Sequence, residues 1–298
     1  SQKFVVDPDS GSADFWILSD LCKSNCGDSG TKYKTSSSSA VDANKNFNIQ
    51  YGAGSTSGKL YRDTAKLGDL TVRNLTIGAA SHISSELASD PAGGILGLGF
   101  RQITSAGQKT FLDRLFTQEK LKSQVVSFAF GRSAKKTLSK AEMRFGDVNS
   151  QLYSGDISYS PVTTKGYWQF GVQSFAAGSG SGINLDSIVD TGTSLIAVEE
   201  SQAAKFWKDV PNSKFDQEQG YYTYPCSQKI NAVLKTKDGK SWPIEEDDFN
   251  LGSLTATSDR CVGAVFPAQT RNVVVLGIVF LKNAYSVLDY SQNRVGLA

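Results

Sequence analysis

Two short motifs each occur twice in this sequence, in the same order and at nearly the same spacing. An Asp-hydroxyl-Gly-hydroxyl motif lies at 9–12 and again at 190–193, each time shortly after apolar residues. A Leu-Gly motif within apolar residues follows at 95–98 and again at 275–278. Either motif alone would indicate only a turn, because Asp, Ser, Thr and Gly are common turn formers. The matched pair indicates two homologous halves, each with a strand that ends in the Asp motif and a later apolar strand that ends near Leu-Gly.

The remaining pattern is typical of a mostly β protein, in which short β-branched and aromatic runs alternate with Gly, Ser, Asn and Asp. Two segments have apolar residues at helical spacing: 110–120, which begins with a Thr110/Asp113 cap pattern, and 199–210. The serine tract at 35–39 predicts a loop. The predicted strands include 4–6, 47–51, 125–130, 188–189 and 285–290.

Length and charge narrow the class of protein. A chain of 298 residues fits about two domains of roughly 150 residues each. With 31 basic and 29 acidic residues the net charge is only +2, so we expect no nucleic-acid partner and no polybasic membrane contact. The longest apolar run, 273–281, is too short for a membrane span.

The single histidine excludes several chemistries. A Ser-His-Asp or Cys-His site could use only His82, which lies in a polar stretch without a nucleophile motif, so we interpret it as a surface residue. A zinc site built from several His ligands is impossible. We therefore expect neither a metal ion nor a cofactor.

The four cysteines form one close pair and one distant pair. The spacing of the distant pair does not fit a zinc site with four Cys ligands, which usually has two short pairs. Three disulfide connectivities are possible; we favour Cys22–Cys26 and Cys226–Cys261, which keep each bridge within its own half. Such bridges would indicate an oxidising compartment. Asn74 begins the one N-glycosylation sequon, which alone is weak evidence.

An Asp at the same place in each half has a specific chemical use. If Asp9 and Asp190 face each other they cannot both ionise cheaply, so they share one proton and offer a base and an acid together. That arrangement suits activation of a water molecule with protonation of a carbonyl oxygen. Gly11 and Gly192 let the backbone approach the site closely. The hydroxyl residues expected to support the carboxylates are Ser10, Ser12, Thr191 and Thr193.

These residues resemble the pepsin-like aspartic endopeptidases, and the pattern is most similar to that of secreted fungal members. Residues 9–16 match the first active-site signature of that family, and 188–194 match the second. Residues 47–55 resemble its flap hairpin. The runs 93–99 and 274–283 resemble the two apolar strands that cross beneath the catalytic loops.

The resemblance implies a bilobal, mostly β fold with an N-terminal lobe over 1–154 and a C-terminal lobe over 155–298. A deep cleft would separate the lobes, and the flap would close over a substrate bound there in extended form. Tyr51, followed by Gly52, matches the flap tyrosine, and Trp16 matches the tryptophan that hydrogen-bonds it.

The implied function is a secreted, extracellular acid endopeptidase that acts as a monomer on extended polypeptides and binds pepstatin-like inhibitors. Because the matching pocket residues are apolar, we expect cleavage next to large hydrophobic side chains. Gly11, Gly192 and Thr193 match positions that bind the peptide backbone, and Tyr51, Ile95 and Phe111 match positions that wall the main specificity pocket.

Three positions depart from the family pattern. Pro8 precedes the first Asp and removes a backbone donor from a strand expected to be buried. Ala53 stands where relatives that accept lysine before the cut carry an acid, which argues against that tolerance. Ile278 replaces a polar residue that commonly follows the second Leu-Gly.

Two alternatives from other classes stay open. A catalytically silent relative could bind protein partners through the same cleft, although both Asp motifs and the flap pattern are kept here. A β-rich carbohydrate-binding protein would fit the composition but gives no reason for the repeated Asp motifs.

Overall fold

The computed structural model describes residues 2–24, 26–27, 30–132 and 141–298, which are mostly β. The chain forms two compact units, Ser1–Leu121 and Lys122–Ala298. The mostly β prediction is therefore confirmed. The lobe boundary at 154/155, which the family resemblance implies, stays a prediction.

The first unit is built on one mixed sheet of six strands in the order β1-β6-β2-β5-β4-β3. Its strands are β1 (Asp7–Asp9), β2 (Phe15–Leu18), β3 (Val41–Gln50), β4 (Ser55–Leu67), β5 (Leu70–Ile83) and β6 (Gly94–Gly97). Its helices are α1 (Ser85–Ala88), a 3-10 turn (Arg101–Ile103) and α2 (Phe111–Gln118).

The second unit contains a ten-stranded sheet and two smaller sheets. Its strands are β7 (Val125–Ala129), β8 (Glu142–Phe145), β9 (Ser158–Thr164), β10 (Gln169–Phe170), β11 (Val172–Ala177), β12 (Ser187–Val189), β13 (Ile196–Val198), β14 (Lys214–Asp216), β15 (Tyr221–Pro225), β16 (Ala232–Thr236), β17 (Ser241–Pro243), β18 (Asn250–Ser253), β19 (Arg260–Gly263), β20 (Val265–Pro267), β21 (Val274–Leu276), β22 (Ser286–Asp289) and β23 (Arg294–Leu297). Its helices are α3 (Glu200–Lys208), α4 (Glu246–Phe249) and α5 (Ile278–Leu281).

Both units contain the same three-strand arrangement around their Asp motif. In the first, β1 runs parallel to β6, and β2 pairs antiparallel with the other edge of β6. In the second, β12 runs parallel to β21, and β13 pairs antiparallel with β21. A further strand lies parallel to the third member in each unit, β5 beside β2 and β20 beside β13. The repeat in the sequence therefore corresponds to a repeat in strand pairing.

The two predicted helices are present with slightly shorter bounds. The α2 helix begins after Thr110, whose side chain accepts from the Asp113 N–H while the Asp113 carboxylate accepts from the Thr110 N–H, forming a capping box. The α3 helix buries Ala203, Phe206 and Trp207 in the core of the second unit. No helix among the described residues is long and apolar enough to cross a membrane.

Two predicted strands differ from the structure. Residues 4–6 are not a strand, and the ladder begins only at Asp7. The apolar run at 274–283 is a strand only as far as Leu276, after which 278–281 form a turn of helix. A continuous apolar run has no periodicity that separates a buried strand from a buried helix, which explains the second error.

Pro8 is compatible with its strand because of where that strand lies. Within the described residues β1 is the edge strand of its sheet. The carbonyls of Val5 and Asp9 accept from β6 and the residues beside it, at 2.9 and 2.7 Å. Because successive backbone groups alternate sides along a strand, the Pro8 nitrogen points away from β6 and removes no bond from that ladder.

Candidate active site

The first Asp motif forms a tight loop that organises the Asp9 carboxylate. Gly11 donates its backbone N–H to Asp9 Oδ1 at 2.8 Å, and the Ser12 hydroxyl donates to Asp9 Oδ2 at 2.5 Å. Asp9 is 6 % exposed, and Ser10 is fully buried. Each carboxylate oxygen therefore has a donor from within the loop, which fixes the rotamer of Asp9.

The second Asp motif repeats this geometry in the other unit. Gly192 donates its N–H to Asp190 Oδ1 at 2.9 Å, and the Thr193 hydroxyl donates to Asp190 Oδ2 at 2.7 Å. Thr191 is half-buried. The two loops thus hold their carboxylates by the same pair of bonds, one backbone and one hydroxyl, from residues two and three positions later.

The repeated Leu-Gly motif has a steric reason. Gly97 donates its N–H to Asp14 O at 2.9 Å, and Gly277 donates to Leu195 O at 3.0 Å. A Cβ at Gly97 would lie 2.5 Å from the Ala13 carbonyl carbon, and one at Gly277 would lie 2.2 Å from Leu195 O. In each unit the strand under the Asp loop approaches it so closely that only glycine fits.

The flap residues form the predicted hairpin of the first unit. Strands β3 and β4 pair antiparallel up to Gln50 and Ser55, and the turn between them is closed by the Tyr51 N–H donating to Gly54 O at 2.9 Å. Trp16 Nε1 donates to the Tyr51 hydroxyl oxygen at 2.8 Å. Gly52 lies exposed in the turn. The tyrosine ring is therefore tied to the strand that directly follows the first Asp loop.

The Tyr51 hydroxyl stays protonated across the working range of a protease. Burial raises the pKa of Tyr51 well above its ordinary value and outweighs the lowering by the Trp16 hydrogen bond; the negative charges of Asp9 and Asp14 raise the pKa by smaller amounts. The hydroxyl is thus a neutral hydrogen-bonding group rather than a proton acceptor.

The other predicted pocket residues differ in accessibility. Ile95 is partly buried and packs with Trp16 against the same cluster, which places it beside the flap tyrosine's partner. Phe111 begins α2 and is only 3 % exposed, so little of its ring is available to a bound molecule. Ala53 lies exposed in the flap turn, and Ile278 begins α5.

Both favoured disulfides are present in the structure. Cys22 bonds Cys26 in the first unit, and Cys226 bonds Cys261 in the second. Asn74 is exposed and has a φ of 53°, in a stretch where the register between β4 and β5 shifts. His82 is exposed, as predicted.

Sequence reasoning missed a set of carboxyl contacts around the first loop. Asp14 is 5 % exposed and accepts from the Ser105 N–H at 2.9 Å, from the Ser105 hydroxyl at 3.0 Å and from the Gln108 amide. Asp7 lies against Asp90, and burial together with the Asp90 charge raises the pKa of Asp7 to about 6. These partners are far along the chain from the motif, so no local pattern could have indicated them.

Each loop holds a carboxylate by two hydrogen bonds from within its own turn. Two β-rich units, each with such a loop above a Leu-Gly strand, and one with a Tyr-bearing hairpin, define the architecture of an aspartic protease. The model of the family described as eukaryotic aspartyl protease matches residues 1–298. The chain belongs to that family and is an aspartic endopeptidase; the family acts on peptides.

Fungal proteins are among those similar to this chain. The chain is 34% identical to an aspartic protease of Phaffia rhodozyma, over 100% of the chain and 73% of that protein. It is 31% identical to major aspartyl peptidase 1 of Cryptococcus neoformans var. grubii, over 100% of the chain and 66% of that protein. It is 30% identical to aspergillopepsin-1 of Aspergillus fumigatus, over 98% of the chain and 74% of that protein.

Proposed function

We propose that this protein is a secreted acid endopeptidase in which Asp9 and Asp190 act as one catalytic dyad. The observation that carries the proposal is the matched pair of bonds that holds each carboxylate in its own loop. Such preorganisation is what a general acid–base pair requires.

In the proposed reaction the dyad holds one proton between two carboxylates. The ionised carboxylate takes a proton from a bound water, the water oxygen attacks the scissile carbonyl carbon, and the protonated carboxyl donates to the carbonyl oxygen. Collapse of the resulting gem-diol breaks the C–N bond. The leaving nitrogen takes up the proton that the dyad gained from water, and a hydroxyl of the gem-diol returns its proton to the other carboxylate, which restores the singly protonated dyad. Ser10, Ser12, Thr191 and Thr193 would keep the carboxylates oriented.

The proposed substrates are extended polypeptides with large hydrophobic side chains at the cut. Tyr51 and Ile95 would wall the pocket for one of these side chains, with Phe111 behind them. Gly11, Gly192 and Thr193 would bind the peptide backbone, and Gly52 would lie in the flap above it. The apolar character of Ala53 in the flap turn argues against preference for a lysine before the cut.

Secretion, glycosylation and a monomeric state are part of the same proposal. Two disulfides are typical of proteins from oxidising compartments. Asn74, the sequon residue, is exposed and so accessible to a glycan. Comparison of the electrophoretic mass of the secreted protein before and after enzymatic deglycosylation tests that site, with Asn74→Gln as the control.

A pH–rate profile on an unfolded protein substrate tests the activity. Hydrolysis should peak below about pH 5, stop with a pepstatin-like inhibitor, and become slow by about pH 7, because the dyad loses its shared proton as the pH rises. A protein that stays folded in acid but cleaves nothing there would instead support a catalytically silent relative.

A further inference from the structure

The first unit contains a buried carboxylate that the proposed reaction does not use. Asp14 is 5 % exposed, five residues after Asp9 and two before Trp16. A buried charge is costly unless hydrogen bonds compensate for it. All three donors that the structure gives Asp14 come from Ser105 and Gln108, in the loop between the 3-10 turn and α2.

The corresponding position of the second unit shows that the Asp loop does not need this carboxylate. Leu195 stands at the place of Asp14, and its carbonyl accepts from Gly277 just as the Asp14 carbonyl accepts from Gly97. The backbone role is therefore shared by an acid and an aliphatic residue. The side chain of Asp14 serves something that only the first unit has.

That feature is the loop at 104–108, which is tied to Asp14, the residue just before β2. Besides the Asp14 bonds, Arg101 donates through Nε and Nη2 to Gly107 O at 3.0 and 2.7 Å, which closes the loop on itself. Between these ties, Ala106 packs against the core cluster that includes Trp16, and Ile95 packs against the same cluster. The loop thus shares a core cluster with a residue proposed to wall the specificity pocket.

We propose that Asp14 is a positioning residue for substrate specificity: its carboxylate holds loop 104–108 against the core cluster that includes Trp16 and on which Ile95 also packs, and it thereby sets the width of the pocket for the hydrophobic side chain next to the cut. This inference rests on the proposed function for the existence of that pocket. It assigns Asp14 no part in the bond-breaking step.

Part of the tie persists in acid, although burial makes the Asp14 carboxyl easier to protonate. Burial raises the pKa of Asp14, and the bonds from Ser105 and Gln108 lower it by less. The negative charge of Asp14 also acts on the Tyr51 hydroxyl, so the carboxylate lies near the flap residue as well as the loop. Protonation leaves one carboxyl oxygen able to accept, so part of the tie remains at low pH.

A graded set of variants tests the tie. Asp14→Leu installs the residue of the second unit and removes all three bonds, Asp14→Asn keeps the shape and one acceptor oxygen, and Ser105→Ala removes one hydroxyl bond. Thr104→Val is the matched control, because the Thr104 hydroxyl donates to Arg101 O on the same loop and not to Asp14.

The kinetic measurement uses peptides that differ only in the hydrophobic residue before the cut, from Ala through Leu to Phe. We expect Asp14→Leu to raise KM about tenfold for Phe peptides and to change it less than about twofold for Ala peptides. Turnover number should change less than about twofold throughout. Ser105→Ala should show the same dependence on side-chain size with a smaller effect, Asp14→Asn should lie between the two, and Thr104→Val should match the parent.

Amide hydrogen exchange supplies a readout independent of activity. The Ser105 N–H should exchange at least about tenfold faster in Asp14→Leu, because its acceptor is gone, and the flap amides should not change. If Asp14→Leu fails to fold, Asp14→Asn and Ser105→Ala decide the question by the KM series, because Ser105→Ala keeps the backbone N–H and its acceptor.

The outcomes separate this inference from the proposed function. A parent enzyme that cleaves no peptide overturns the proposed function, and the pocket role falls with it even if exchange is faster. An active parent whose KM series is unchanged in both Asp14→Leu and Ser105→Ala overturns the inference alone. A uniform loss of turnover for all peptides would also overturn it, because it would indicate a role in the chemical step.

Discussion

The two Asp loops have the same internal bonds and different surroundings. Asp9 and Asp190 are held alike, and a close-packed glycine lies under each loop. The flanking positions are acidic in the first unit, where Asp7 and Asp14 stand, and aliphatic in the second, where Ile188 and Leu195 stand. The geometry that an Asp loop needs is therefore set by backbone and hydroxyl groups. The side chains on either side are free to take other tasks.

The neighbouring strands differ in the same way. Trp16 in β2 donates to the flap tyrosine, whereas the residue at the corresponding place in β13 is Ala197. The strands that lead into the Asp loops differ as well. β12 pairs with β10 on the edge opposite β21, whereas within the described residues β1 pairs only with β6 and is an edge strand. The first unit therefore has the contacts to the Tyr51 hairpin and to loop 104–108, which we propose to be the flap and a support of the pocket, and the corresponding positions of the second unit are aliphatic.

The largest expected effect is that of replacing the Asp in either loop. It tests whether the two carboxylates, which are held by the same bonds, are equally necessary for activity. Asp9→Asn and Asp190→Asn should each lower kcat by more than about 100-fold with the fold intact, because each removes one member of an acid–base pair. The double variant should have about the same activity as either single variant, since the proposed dyad would act as a unit. Retention of activity by one single variant, folded by circular dichroism, would break the equivalence.

A second test concerns the glycines beneath the loops. Gly97→Ala and Gly277→Ala should each lower the free energy of unfolding by about 1–3 kcal/mol, since the added methyl meets backbone that cannot move away cheaply. Chemical denaturation measures the change. Gly52→Ala is the control, because a Cβ there has no atom within 4 Å. If both variants lose the same free energy of unfolding, the two loops share one geometry. If either variant is as stable as the parent, the backbone around that glycine is less closely packed than the structure shows.

The repeat made much of this arrangement predictable from the sequence. Asp motif, hydroxyls and Leu-Gly are local patterns, and the structure folds them into matching strand triplets. The tie from Asp14 to Ser105 could not be predicted, because the partners are 91 residues apart and neither belongs to a periodic pattern. The helix at 278–281 was also missed, since Ile278–Leu281 is apolar on every side and three of its four residues are buried. Prediction succeeded where the signal was local or repeated and failed for single long-range polar contacts.

A third test addresses the contact that only the first unit has. Tyr51→Phe removes the acceptor of the Trp16 N–H and should lower stability by about 1 kcal/mol, because the indole nitrogen is left without its partner. Tyr51→Ala should also lower kcat/KM by about tenfold and blur the preference for large side chains, because the ring that walls the pocket is lost. Steady-state kinetics on the Ala-to-Phe peptide series measures both. Kinetics identical to those of the parent would show that the hairpin is not the flap.

The smallest expected effect concerns Asp7, whose counterpart is Ile188. Burial and the Asp90 charge raise the pKa of Asp7 to about 6 from an ordinary value of 3.8. The folded state therefore binds this proton more tightly than the unfolded state does, so the associated stability is present below about pH 4 and is lost as the pH rises to about 6.

Asp7→Asn should make the fall in melting temperature between pH 4 and pH 6 shallower by a small amount, because Asp7 is partly exposed. Asp90→Asn should have a similar effect by removing the neighbouring charge, and Asp69→Asn, in the exposed turn between β4 and β5, should have none. Thermal unfolding followed by circular dichroism at half-unit pH steps resolves the difference. If Asp7→Asn and the parent give parallel curves over this window, the two carboxyls do not interact, and the acidic flank of the first loop has no part in the protein's preference for acid.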